Sequence, residues 1–115
     1  MKTITIYRHR AFFRQIELAT TMDELTKGLL GRNNAGSGLF LFGATAVHTY
    51  GMRFGIDVVY LNQNGLVLGL EERLLPNREG MQLSRTSHIV EFNAGTIKYY
   101  RIRIGEPWHW ILKRL

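Results

Sequence analysis

The chain has no cysteine and only two prolines in 115 residues. Without thiols there are no disulfides, no thiolate metal centres and no cysteine nucleophiles. No apolar run approaches the ~20 residues that a membrane-spanning helix needs. The start, MKTITIYRHRAFFRQ, lacks the apolar core and small-residue site of a signal peptide, so the expected location is the cytoplasm. H-x-H, H-E-x-x-H and D-x-D spacings are absent, and NAGSG (34–38) is not a phosphate-binding glycine fingerprint. No metal and no cofactor are therefore expected. Acidic residues are also scarce, 9 against 15 basic ones, for a net charge of +6. Basic residues fall near both ends, at Lys2, Arg8, Arg10 and Arg14, then at Lys98, Arg101, Arg103, Lys113 and Arg114. Spaced along strands, they read first as a solvated basic surface and second as a footprint for a polyanion.

What is present is the composition of one ordinary globule, 45% hydrophobic and 21% charged. Residues 1–115 form a single domain, and a chain of this length buries roughly two-thirds of its unfolded surface. Alternating residues predict strands over 2–7 and 12–19. Thr21-Met22-Asp23-Glu24 is a capping box and starts the one clear helix, about 22–30, with Met22, Leu25 and Leu29 as its buried stripe and Gly31 as its stop. Further strands are expected at 39–42, 57–62, 66–74, 88–92 and 108–112, with a short one at 47–49. Residues 93–100 fit a strand or a short helix. Asn64-Gly65 predicts a type I′ hairpin. The connection 75–85 is long for so small a domain, a length more often found at functional loops. The expected fold class is α+β: a small, mostly antiparallel, strongly curved sheet or barrel-like core closed by one helix.

The polar groups concentrate in HTYGMRFGIDVVYLNQNG (48–65). His48 titrates near neutrality and is a base, an acid or a ligand. Asp57 heads an apolar strand, where an unpaired charge is costly. It reads either as a backbone cap or as the partner of Arg53 or Arg78, and Arg53 offers a fork for carboxylate or phosphate. Glu91 shares its strand face with Ile89, so it is either paired or at an edge. A His48–Asp57 pair lacks a well-placed nucleophile, and His48, Asp57 and Glu91 come from separate segments, a weak metal set.

The block HTYGMRFGIDVVYLNQNGLV, followed by IVEFNAGT and IGEPW, resembles the bacterial and archaeal family DUF192. KGLLGR and GLFLF upstream are similar to its earlier blocks, in the same order. Gly55, Asn77, Asn93 and Glu106 depart from the family's usual residues. The resemblance implies a compact β-rich domain with a helix packed on the sheet, and no agreed activity. The expectation is a small-ligand binding or accessory module, its ligand anionic, with His48, Arg53, Asp57, Arg78 and Glu91 at the site. The alternatives are a metal-dependent or His/Asp hydrolase and a basic nucleic-acid-binding module. Whether the chain is an enzyme, and its oligomeric state, stay open at the level of sequence.

Overall fold

The computed structural model describes residues 2–113; Arg114, counted above among the terminal basic residues, lies outside them. The chain runs β1 (Thr3–Arg8), β2 (Ala11–Ala19), α1 (Met22–Lys27), β3 (Leu39–Phe42), β4 (Ile56–Leu61), β5 (Val67–Leu74), β6 (His88–Asn93), α2 (Thr96–Tyr100) and β7 (Trp108–Lys113). The strands form one sheet in the order β5-β4-β6-β3-β2-β1-β7. Among the described residues only β2 and β3 run parallel, and α1 lies on the crossover between them, as a parallel pair requires.

Strand alternation divides the core between the two sheet faces. On β4 and β6, Val59, Leu61, Val90 and Phe92 join Ile4, Ile6, Phe40 and Trp108. Their neighbours Ile56, Val58, Tyr60 and Ile89 join Leu29, Leu39, Leu41 and Met52 on the other side. Both faces being covered, every residue of β4 is buried, and its sequence IDVVYL is an unbroken apolar run after Asp57.

The sheet is not closed. At one end the start of β5 reaches the chain ahead of β7, with Trp108 N donating to Gly65 O (2.8 Å), Val67 N to Glu106 O (3.0 Å) and Gly105 N to Val67 O (2.8 Å). Among the described residues no ladder joins the two edges beyond an isolated bridge at Leu66 and Pro107, so the closed-cylinder form of the expected fold is not reached.

Some expectations for local structure need correction. The helix stops at Gly28 (φ 49°), short of Leu30, although its capping box is present as expected. Glu24 accepts from the amides of Thr20 (3.0 Å) and Thr21 (3.1 Å), which with Lys2 hold its carboxyl down at about 2. No residue of α1 is buried, and Met22 is 77% exposed; the stripe fails because the helix ends before Leu29, which enters the core from the following turn. Residues 96–100 take the helical form of the two expected for 93–100, which gives the domain a second short helix.

The hairpin is also not type I′. Gly65 is at φ 88° while Asn64 is not at positive φ. Asn62 Oδ1 instead accepts from the amides of Asn64 and Leu66, both at 2.9 Å. This fits a three-residue loop ending on a left-handed glycine. A Cβ on Gly65 would collide with the Trp108 carbonyl, the point where the two sheet edges meet. Gly65→Ala is expected to cost about 2–3 kcal/mol, read as a lower urea midpoint at unchanged slope.

Candidate functional site: a cavity over a buried carboxyl

Glu91 follows Ile89 onto the α1 side of the sheet, where it is 3% exposed. Its Oε1 has no hydrogen-bond partner. Burial pushes its pKa up to about 7. Beside it lies a cavity of about 390 Å³ walled by Leu25, the turn 27–30, residues 43–48, Tyr50 and Met52. Gly28 lines the same cavity, and its α-carbon faces the carboxyl closely enough that a Cβ there would sit 3.8 Å from Oε1.

The far wall is held by Thr49, which is fully buried. Thr49 N donates to Arg78 O (2.8 Å) and Asn77 N to Thr49 O (2.9 Å), while Thr49 Oγ1 accepts from Arg78 N (3.0 Å). Asn77 Oδ1 takes the amide of Gly51 at 3.0 Å. The long connection 75–85 thus staples the segment 47–51 in place, and 47–49 makes only an isolated bridge, His48 to Glu79, rather than a strand.

The five residues singled out by sequence do not converge. His48 lines the cavity with Glu91; it is exposed, and its Nδ1 accepts from Tyr50 N at 3.2 Å. Arg53 is exposed and donates to Asn33 Oδ1 (3.2 Å). Arg78 is exposed and contributes its backbone to Thr49. Neither arginine lines the cavity.

Asp57 is fully buried. It pairs with neither arginine, a correction to the charge-pair alternative. Its Oδ1 accepts from Arg73 N (2.9 Å) and its Oδ2 from Gly95 N (3.1 Å) and Ile97 N (2.9 Å). These are the amides at the start of α2, whose N-cap Gly95 supplies no side chain. Asp57 is therefore the backbone cap that the other alternative described, and it does not orient His48.

Other polar groups around the site are spoken for. The Tyr60 hydroxyl donates to Glu71 Oε1, which also accepts from Met81 N at 2.9 Å; burial first, and then Glu71, raise the Tyr60 pKa. Tyr50 donates to Glu79 (2.9 Å), which raises its pKa. His88 Nδ1 accepts from Gly43 N (2.9 Å), and burial lowers its pKa. The sequence marks Gly28 only as a weak point of the helix and Thr49 only as one of several possible nucleophiles, and it does not mark Tyr50 at all. A threonine between two aromatic rings in HTYG carried the only hint. Among the described residues no three His, Asp or Glu side chains are grouped to hold a metal.

These features define a small, mostly β module with two short helices and one buried carboxyl facing a cavity. The chain belongs to the family DUF192 (Uncharacterized ACR, COG1430), whose model matches residues 4–110. Two solved structures share the fold. One, of a protein of unknown function from Novosphingobium aromaticivorans DSM 12444, has a TM-score of 0.77 at 19% identity, covering 94% of this chain and 84% of that one. The other, from Sinorhizobium meliloti 1021 and described provisionally as a transcription regulator, has a TM-score of 0.77 at 21% identity, covering 96% and 94%. No curated protein matches the chain. Among the described residues no helix is long and apolar enough to cross a membrane.

Proposed function

We propose that the chain is a small-ligand binding module whose pocket is the cavity over Glu91. The observation that carries this reading is the partnerless Oε1 of a side chain only 3% exposed. Leaving a buried polar group unsatisfied costs free energy that a ligand donor recovers. The ligand that fits has an N–H or O–H for Glu91 and an apolar body against Leu25, Leu29, Leu41 and Met52. His48 and Lys27 line the same cavity and are the groups to receive an anionic end, if the ligand has one. Arg53 and Arg78 lie away from it, and Asp57 serves α2, so the pocket itself favours a donor over the anion that the net charge suggests.

The hydrolase alternatives have less support. Both Asp57 oxygens are taken by backbone amides, so Asp57 is not free to orient His48 as a His/Asp pair requires.

Amide chemical-shift titrations with n-butylamine, n-butanol and n-butyrate test the reading. Saturable shifts at Gly28, Ala46 and Val47 are expected with the two donors. Glu91→Gln, which keeps the shape and removes the charge, is expected to weaken n-butylamine by about tenfold, the worth of one charge-assisted hydrogen bond. Stronger shifts from n-butyrate would favour the anionic ligand. No saturable shift at the cavity with any probe would end the proposal.

A further inference from the structure

The chemistry of the Glu91 cavity leaves the opposite face of the sheet unexplained. There α2 and the loop after it carry Lys98, Tyr99, Tyr100, Arg101 and Arg103, all exposed, with Tyr99 at 79%. No acidic residue occurs in 92–105, nor in the two segments that meet this end, 7–14 and 32–38. Arg14 joins the patch. Its guanidinium lies over the rings of Phe13 (4.7 Å), Tyr100 (4.9 Å) and Phe92 (5.4 Å) and donates to Ser37 O at 2.9 Å.

The carboxylates nearest this patch are mostly withdrawn. Glu106 is 6% exposed, bidentate with Arg8 at 2.8 and 2.7 Å, and it also accepts from Trp108 Nε1 (2.9 Å) and Arg103 N (3.0 Å). Asp57 lies beneath α2 and is consumed by amides. On β5, Glu71 is held by Tyr60 and Met81, which leaves Glu72 as that strand's exposed acid. Charge on this end is therefore almost purely positive, and two tyrosines stand in it at 4.8 Å, edge to face.

The backbone adds a further observation. Arg101 caps α2 in the left-handed region (φ 55°, ψ 45°), where glycine is the residue without strain. An arginine there adds an exposed cation to the patch.

We propose that this face, built on Arg14, Lys98, Tyr99, Tyr100, Arg101 and Arg103, binds single-stranded nucleic acid. Cations spaced around exposed rings suit a phosphate backbone whose bases are free to stack. A duplex, with its bases already stacked, has no use for the tyrosines. The partner is independent of the cavity ligand, because the patch lies on the other side of the sheet from Glu91.

Fluorescence anisotropy of a labelled twelve-residue oligothymidylate between 50 and 200 mM NaCl tests this. Log affinity is expected to fall against log salt with a slope of about −2 to −3, that of three to four phosphates at roughly 0.7 each. Tyr99→Ala is expected to weaken binding about tenfold with the slope unchanged. Lys98→Ala with Arg103→Ala is expected to make the slope shallower by about 1.4. The proposal is overturned by the absence of salt-dependent binding, by equal affinity for a duplex of the same length with Tyr99→Ala silent, or by binding to phosphatidylserine vesicles without binding to the oligonucleotide.

Discussion

Asp57→Ala is expected to destabilise the protein by about 4 kcal/mol, the largest loss of any single substitution considered. The side chain is fully buried and accepts from three amides, of Arg73, Gly95 and Ile97. Each hydrogen bond to a charged acceptor contributes about 1.5–3 kcal/mol, and each amide stranded in the interior adds a desolvation cost. The start of α2 has no side-chain cap of its own, so the helix and the strand β5 lose the same anchor together. Thermal unfolding should shift down by roughly 15 °C at this chain length. Asp57→Asn should recover only part, since one of its two terminal atoms is a donor facing donors. A shift of less than about 3 °C for the alanine variant would mean that α2 is held by Ile97 packing alone.

Glu91→Gln should act in the opposite direction, by an amount that grows as pH rises above 4.5 and is complete above 7. A free glutamate titrates near 4.5, whereas burial raises Glu91 to about 7. Below pH 4.5 the carboxyl is protonated in both folded and unfolded chains, and the raised pKa costs nothing. Between 4.5 and 7 the unfolded chain has released its proton and the folded chain still holds it, so stability falls as pH rises. Above 7 the folded state carries the full burden of a buried unpaired charge, about 3 kcal/mol from the size of the shift. The glutamine carries no such charge. Urea unfolding at pH 4.5, 6 and 8 should therefore show a difference between the two proteins that grows with pH, the variant gaining up to about 3 kcal/mol at pH 8. Titrations common to both, such as Glu106, cancel in that difference; burial raises that pKa, but Arg8, Trp108 and the Arg103 amide outweigh it and hold it low. That cost is what a donor bound in the proposed pocket would offset.

Much of the frame was legible in the chain because local signals agreed with tertiary packing. Alternation marked β1, β2 and β6, and the apolar run marked β4. Thr21 and Glu24 set the start of α1 to the residue. Where the signals failed, a non-local contact decided. Helical spacing places Met22 in the core, but the turn at Gly28 ends the helix before a stripe forms. Asn64-Gly65 matches a type I′ pair, yet Asn62 captures two amides and the Trp108 strand presses on Gly65. The same held for the site. Asp57, Arg53 and Arg78 look like partners by charge, but the amides that bind Asp57 come from residues 73, 95 and 97, which no spacing rule connects to it. Glu91 was legible as a carboxylate on an apolar face. That it faces a cavity depends on where Thr49 pins the loop 43–52.

The most direct test of the account is the carbon-13 titration of the Glu91 side-chain carboxyl in the folded protein. A midpoint near 7 is predicted, with the transition shifting downward when n-butylamine occupies the cavity, because a bound cation favours the ionised form. A midpoint near 4.5, unmoved by the amine, would mean that Glu91 is neither a buried unpaired carboxyl nor the floor of a binding site.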